Sequence, residues 1–585
     1  MLKLLKYLKW QEWLLLILTI AIVGGQVYLN ICIPEVTLEI SKYLTMPDIS
    51  AYWKDIVLAC MKMLGFAVGV VLAAIVVNTL SSLLVTNLLS RIRGEVFRKV
   101  NNFSLAEINK FSIPSLITRS TNDITQLQQV YASTITMGFS APLTAILAIS
   151  KIVSISNRYD VGMLTWVNVI SVILISVLVF IIVATVVPKF KTIQRTTDAL
   201  NRITRENLTG LKVVRANSAE KSQEEKFDDV NQKFTKLDIF VGKIMSIIDP
   251  ALTIIMQGTS LAIVWIIGLL AQTNPALLTI MSTFTQYSIS IIMSFTSLSV
   301  LFMFIPRGIV SAKRINQVLD TKTTIVNGQI ENGSEKGTIE FKNVSFKYPD
   351  ADANVIENIN FRVEKGQTIA FIGSTGSGKS TLINLIPRFY DCTDGEVLVN
   401  GENVKNYDEK ALHEIIGYVP QKGILFSGTV KQNILYGAEN ATEEELDKAI
   451  KVSQSDFAYN FEEGLGHHIS QGGKNVSGGQ KQRLSIARAL VKNPDILIFD
   501  DSFSALDYKT DKIVRENLAE SYKDATKVIV AQRIGTIMNA DKIIVLNEGK
   551  VVGEGTHNQL MKTCEVYQEI ALSQLSKEEL ENEQK

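Results

Sequence analysis

The chain is 585 residues long, carries a formal net charge of +1 and has four cysteines. That length accommodates two large domains, and the near-neutral balance gives no global basic field of the kind nucleic-acid binding uses. Cys32, Cys60, Cys392 and Cys564 stand at no ligand or disulfide spacing, which sets aside a disulfide framework and a cysteine metal site.

A mean hydropathy of +0.19 is high for a soluble enzyme, and it is unevenly spread. Long apolar runs end near residue 305, and ordinary soluble composition begins near 335. The chain opens on Met1-Leu-Lys-Leu-Leu-Lys-Tyr-Leu-Lys-Trp10, where three lysines alternate with apolar residues. This predicts an interfacial amphipathic helix; no small-residue cleavage site follows a short apolar core, as a signal peptide requires. Six stretches are then long enough to cross about 30 Å of hydrocarbon: Trp13–Pro34, Ile56–Leu80, Ser133–Ser156, Gly162–Val187, Ile244–Leu270 and Leu277–Phe304.

The connections after the second and fourth stretches are long, polar and helical in pattern. One carries Arg91, Arg93, Arg98, Lys99, Lys110 and Arg119; the other carries Lys189, Lys191, Arg195, Arg202, Arg205, Lys212 and Arg215. The positive-inside rule places both connections, and both termini, in the cytoplasm. Their apolar periodicity predicts helices that continue the spans beyond the bilayer. Charges within the spans are few: Lys151 in the third, and Asp249, followed by Pro250, near the inner end of the fifth. Such a carboxylate is a candidate substrate contact or a group at a water-filled inner mouth. Gln257 and Gln286 are further polar positions in the spans.

Residues 306–336 read as a linker ending in the turn-rich Asn327-Gly and Asn332-Gly-Ser. Beyond it, strand-like Gly337–Phe346 leads to Tyr348, and Gln367–Ile372 reads as a buried strand entering Gly373-Ser-Thr-Gly-Ser-Gly-Lys-Ser380, with a helix over Thr381–Ile386. Strand, GxxxxGK[ST] and helix in that order are the context of a phosphate-binding loop. Backbone N–H groups of Gly373, Ser374, Thr375, Gly376, Ser377 and Gly378 close around phosphates, aided by the helix dipole at Thr381. Lys379 neutralises the outer phosphates and Ser380 ligates Mg²⁺. A second apolar strand, Asp495–Asp500, ends in the carboxylate expected to hold Mg²⁺ with it. His467-His468 lie in a Gly-rich polar segment without nearby cysteines and read as exposed loop residues.

Together these features resemble a half-transporter of the ATP-binding cassette (ABC) exporter family. The likeness implies an all-α six-span transmembrane domain with long cytoplasmic helical extensions over 1–305, with two coupling loops. It also implies an α/β P-loop ABC ATPase domain over 337–573, followed by a charged tail over 574–585. Val476-Ser-Gly-Gly-Gln480 is similar to the family signature, supplied through Ser477, Gly478, Gly479 and Gln480. Gln421 matches the Q-loop and the third Mg²⁺ position, Tyr348 the aromatic that stacks on adenine, and Asp507 the D-loop. Glu206–Arg215 resembles the second coupling helix.

The sequence departs from that pattern at three places. Asp501 stands where relatives carry the glutamate that orients the attacking water, Gln532 where they carry a histidine, and Gln471 where many carry a glutamate. Aspartate reaches about 1 Å less far than glutamate, and a misplacement of that size costs about a hundredfold in rate. With the signature intact, the resemblance implies a degenerate-site subunit of a bacterial heterodimeric multidrug exporter. Its partner would be a second half-transporter carrying the Glu and His; ATP and Mg²⁺ are its cofactors. Membrane lipids and an amphipathic small-molecule substrate complete the contacts, and the resemblance implies a multi-pass protein of the bacterial cell (plasma) membrane. A slow homodimeric exporter of lipid, haem or peptide, with Asp501 as a weak base, and an ATP-sensing membrane regulator remain the alternatives.

Overall fold

The computed structural model describes residues 1–574, apart from the side chains of Val187 and Lys191. Of the expected charged tail, 575–585 lies outside the described residues. Contacts divide the chain into two compact units: Met1–Asn101 with Pro114–Thr321, and Asn102–Ile113 with the chain from Lys322 onward.

The first unit is helical. A 3₁₀ helix, Leu2–Tyr7, occupies the predicted amphipathic segment and buries Leu4. It leads to α1 (Trp10–Leu44) and α2 (Trp53–Asn101). After α3 (Leu105–Phe111) and α4 (Ile113–Ser120) come α5 (Asn122–Tyr159) and α6 (Gly162–Thr209). A short α7 (Leu211–Ala216) separates α6 from α8 (Glu220–Ser246), α9 (Ile248–Leu270) and α10 (Met281–Asp320). Six helical segments among the described residues are long and apolar enough to cross a membrane. α2 and α6 hold 49 and 48 residues, about 70 Å at 1.5 Å per residue, so the long connections are continuations of the spans.

Two expected boundaries move because proline does not end these helices. Pro34 lies inside α1, which continues to Leu44. Two hydroxyls of α10 donate to carbonyls of α1 around it, Tyr287 to Ile31 O at 3.0 Å and Thr283 to Pro34 O at 3.1 Å, and tie the two helices together. Pro306 likewise lies inside α10, so the segment expected as linker from 306 is helical through Asp320. The continuation of α1 supplies Glu35, which pairs with Lys151 of α5. Asp249 is exposed in the first turn of α9.

The second unit begins inside the first long connection, which the sequence assigned to the transmembrane domain. Ser104 and Glu107 form a reciprocal capping box that starts α3. Glu107 also accepts from Thr324 N at 3.1 Å, and Asn109 donates to the Tyr390 hydroxyl at 3.1 Å. The remaining chain forms β1 (Ile339–Phe346), β2 (Ile356–Val363), β3 (Thr368–Gly373), α11 (Lys379–Ile383), β4 (Asp394–Val399), β5 (Glu402–Asn403), α12 (Glu409–Ile415) and β6 (Ile416–Val419). There follow β7 (Gly428–Thr429), α13 (Val430–Leu435), α14 (Glu443–Val452), β8 (His468–Ile469), α15 (Gly478–Leu490), β9 (Ile496–Asp500) and α16 (Tyr508–Ser521). The last elements are β10 (Thr526–Val530), α17 (Ile534–Ile537), β11 (Lys542–Asn547), β12 (Lys550–Gly555), α18 (His557–Thr563) and α19 (Glu565–Gln574).

A six-stranded sheet runs β12-β11-β3-β10-β9-β6, parallel except for β12, beside a four-stranded antiparallel sheet β2-β1-β4-β5. The central strands are buried on both faces and alternate between two cores. Ala370, Ile372, Leu497, Phe499 and Ile529 face one core; Ile369, Phe371, Ile496, Ile498 and Val528 face the other. This is why they read as continuous apolar runs. His467 and His468, expected in a loop, lie at a two-stranded ribbon, where β8 pairs with β7 and His467 stacks on Phe461.

In the helical unit, α5 and α10 meet through glycine. A Cβ added at Gly308 would stand 2.9–3.1 Å from side-chain atoms of Val130, which is itself buried. Gly308→Val is expected to cost roughly 1–3 kcal/mol through overpacking, with Gly308→Ala between it and the native protein. Thermal melts of the purified protein in one detergent check this; an unchanged midpoint for the valine variant would refute the close contact.

Candidate nucleotide site

The loop after β3 depends on glycine where backbone meets backbone. A Cβ at Gly373 would fall 2.0 Å from Leu546 O, and Gly378, at φ +95°, would place one 2.6 Å from Ile356. No other residue fits either place. Lys379 turns back over the loop, donating to Gly373 O (2.9 Å), Ser374 O (2.8 Å) and Ser377 Oγ (3.3 Å). The following helix is shorter than predicted. α11 ends at Ile383, and the chain continues in turns.

Strand register assembles the rest. β6, β9 and β10 are parallel, with Val419 and Ile529 both paired to Phe499. Gln421, Asp501 and Gln532 lie just beyond those pairs, so they emerge together at the C-terminal ends of the strands. The Asp501 N–H donates to Val530 O at 2.9 Å. Asp501 is 7% exposed and has φ +47°, a left-handed conformation that aspartate tolerates better than most residues. Its Oδ2 accepts from Gln421 Nε2 at 3.1 Å and from Gln532 Nε2 at 3.0 Å. The Q-loop position and the histidine-replacing position thus converge on one carboxylate oxygen.

Asp500 accepts from Ser380 Oγ at 2.8 Å. Burial, followed by the Asp501 charge, raises its carboxyl above the usual aspartate range against the opposing Ser380 hydroxyl and Lys379 ammonium. Lys379 is lowered by its own burial, against the pull of Asp501 and Asp500. Tyr348 reaches the start of α11, its hydroxyl 3.0 Å from Thr381 Oγ1, and packs edge-on against Phe346 and Tyr390. A hydroxyl beside a carboxylate is an oxygen donor set that suits Mg²⁺ held jointly with phosphates.

The signature serves its own helix locally. Ser477 caps α15, its Oγ accepting from Gln480 N at 3.3 Å while Gln480 Oε1 accepts from Ser477 N at 2.9 Å. Asp507 caps α16 through Thr510 N at 3.0 Å. Among the described residues, no hydrogen bond links Ser477–Gln480 to the loop at Gly373–Ser380. Gln471 is exposed in a single 3₁₀ turn. Gly210 interrupts the predicted coupling segment between α6 and α7.

Two contributors escaped the sequence reading. Gln482 donates to Pro420 O and accepts from Gly423 N, both at 2.9 Å, and so fixes the Gln421 segment to α15. Gln574 donates to Gln532 O at 2.7 Å and accepts from Ile534 N at 2.9 Å. It had been assigned to the tail, yet it closes α19 against the segment carrying Gln532. Neither glutamine lies in a pattern that sequence could single out.

A glycine loop between a buried strand and a helix, a hydroxyl–carboxylate pair at Ser380 and Asp500, and a helix capped by Ser-Gly-Gly-Gln, in a chain with six apolar spans, have the form of an ATPase fused to a membrane domain. The ABC transporter family model matches residues 356–504, and the ABC transporter transmembrane region model matches residues 13–304. An uncharacterized ABC transporter ATP-binding protein of Mycobacterium tuberculosis is 37% identical over 493 residues, 83% of each chain. One from Bacillus subtilis is 33% identical over 487 residues, 83% of this chain and 84% of that one. A Staphylococcus aureus ATP-binding/permease protein provisionally named for multidrug export is 46% identical over 257 residues, 43% of this chain and 44% of its own. The structure of a bacterial Atm1-family ABC exporter with ATP bound superposes with a TM-score of 0.77 at 22% identity, covering 96% of this chain and 98% of that one; the likeness is one of fold.

The chain belongs to the ABC transporter family. It is a multi-pass membrane half-transporter, with six apolar spans fused to one ATPase domain that couples ATP hydrolysis to transport.

The raised Asp500 carboxyl sets a pH dependence. With the folded pKa above the unfolded one, the associated stability is present below the unfolded pKa and lost as pH rises through the folded one. Asp500→Asn should therefore raise the melting midpoint of the nucleotide-free protein more at pH 7 than at pH 4, by about 2–4 °C per kcal/mol relieved. It should also abolish the extra midpoint that Mg·ATP confers. Calorimetry at the two pH values, with and without Mg·ATP, reads both effects; an equal gain at both pH values would rule out the burial argument.

Proposed function

We propose that this chain is the degenerate-site half of a heterodimeric, ATP-driven pump that exports amphipathic small molecules by alternating access. It would work in a bacterial plasma membrane with both termini in the cytoplasm. The observation that carries the reading is the double contact on Asp501. Gln421 and Gln532 both donate to Oδ2, at 3.1 and 3.0 Å. A general base must approach its proton within about 2.6–3.2 Å, and this oxygen already has two donors at that range. Gln532 is a neutral amide with no basic ring nitrogen of the kind a histidine offers.

In this reading Gly373–Thr381 cradle the phosphates of ATP, Tyr348 meets the adenine, and Ser380 and Asp500 hold Mg²⁺. Gln421 is the third Mg²⁺ position, with its amide engaged by Asp501. Ser477, Gly478, Gly479 and Gln480 complete the nucleotide site of a second half-transporter, and Asp507 lies at the subunit junction. That partner carries the glutamate and histidine. ATP at both sites favours the closed ATPase pair through its higher affinity for that state; hydrolysis at the partner's site resets it. The amphipathic substrate class draws on the apolar spans with scattered Ser, Thr, Gln and Met, and on the multidrug-export name of the S. aureus relative.

Affinity purification of this chain from its native membrane should recover a second half-transporter in equal amount, bearing Glu and His at the positions of Asp501 and Gln532. In that complex, with the partner's own glutamate replaced by glutamine, Asp501→Glu combined with Gln532→His should raise ATP turnover on the order of 100-fold. Recovery of this chain paired only with itself would overturn the heterodimer. Unchanged turnover in the double variant would show that neither residue limits hydrolysis.

A further inference from the structure

Positions 78, 81, 82 and 85 share one face of α2, and 128, 132, 133 and 136 share one face of α5, by helical spacing. Between them lies a cleft of about 290 Å³ lined by Asn78, Ser81, Ser82, Gln128, Ser133 and Thr136, completed by small apolar side chains. No charged or aromatic side chain lines it. The two faces meet where both apolar runs end, at Leu80 and Ser133, on the side that the positive-inside reading gives to the cytoplasm.

Ser81 is the second, independent observation. Its residue is 2% exposed, and its Oγ has no hydrogen-bond partner. Hydroxyls nearby on the same helices behave otherwise: Thr79 donates to Ile75 O at 2.8 Å and Thr134 to Val130 O at 2.7 Å. A buried polar group without a partner is rare and costly, and this one lines a cleft of hydroxyls and carboxamides.

We propose that this cleft takes the neutral, hydroxyl- or amide-bearing head of an amphipathic molecule, with Ser81 Oγ as its innermost partner. The inference rests on the reading of the chain as an exporter of such molecules and adds where and by what chemistry one is recognised. Hydroxyls and carboxamides both donate and accept, so a head with paired donors and acceptors satisfies them. An anionic head finds no cation, and a quaternary ammonium finds no aromatic face. The volume is at the low end of small-molecule sites, about 300–1,000 Å³, so it suits a head group whose tail remains outside.

The test uses the complete transporter, with the half-transporter that co-purifies, in nanodiscs. Ser82→Cys is made with Cys60→Ser: position 82 lines the cleft beside Ser81 and is exposed, Cys60 is the exposed native thiol, and Cys32, Cys392 and Cys564 are buried. Its rate of labelling by N-ethylmaleimide is measured with decyl glucoside or decyltrimethylammonium, which share a tail and differ in head. The glucoside is expected to slow labelling at least threefold and the ammonium to leave it unchanged. Asn78→Ala or Gln128→Ala should raise the glucoside concentration needed by about 2- to 10-fold, the range for one neutral hydrogen bond. Equal protection by both amphiphiles, protection by neither, or a thiol that a neighbouring subunit keeps from reagent throughout would overturn the proposal. Ser133→Cys, across the cleft on α5, repeats the measurement should the first variant fail to assemble. ATP binding and turnover on the same preparation keep the readings apart: protection lost with turnover intact rejects the cleft alone, and the reverse rejects the nucleotide assignment alone.

Discussion

The nucleotide end of this molecule depends on the register of parallel strands. A sheet held by evenly spaced hydrogen bonds brings the residues that follow each strand to one edge, where no further ladder constrains them. Pairing Val419 and Ile529 with Phe499 places Gln421, Asp501 and Gln532 within reach of one another, though they are scattered over more than a hundred positions. A one-residue slip of β6 or β10 would turn alternate side chains to opposite faces and empty two apolar cores. The same burial that fixes the register therefore fixes the polar cluster at its edge.

The helical unit solves a different problem. Its helices contain proline at 34, 142, 188 and 306, and each removes a ladder donor from an apolar surrounding. Around Pro34, two hydroxyls of α10 bond carbonyls of α1 and hold the helices together. Charge is treated similarly, since Lys151 and Glu35 neutralise each other across α5 and α1. Ser81 Oγ is one of a few buried polar atoms, with Asp123 Oδ2, Ser156 Oγ and Asn207 Oδ1, that nothing among the described residues completes.

Much of this was legible in the sequence, because the strongest signals are physical necessities. Spans follow from hydrocarbon thickness, and the loop at Gly373–Ser380 from the crowding that excludes any Cβ at Gly373 and Gly378. The identities of Asp501 and Gln532 were readable as departures from a pattern, but their mutual contact was not, since it exists only through strand register. Boundaries suffered where one residue type carries two meanings. Pro34 and Pro306 stand at the expected span and linker boundaries, yet both helices continue through them. Residues 102–113 read as part of the membrane domain because of their position; Glu107 and Asn109 bind them to Thr324 and Tyr390 instead. Gln482 and Gln574 act through tertiary contacts with no local signature.

Gln482 grips the backbone at Pro420 and Gly423 with both ends of its carboxamide, at the fifth residue of the helix that Ser477 caps. The start of α15 therefore cannot pivot without dragging the amide of Gln421 with it. In a pair of half-transporters, the surface offered to a neighbour and the side chain that feels the chain's own pocket would swing as one lever. The occupancy of the chain's own pocket would then count mechanically, setting the angle at which the chain meets the other.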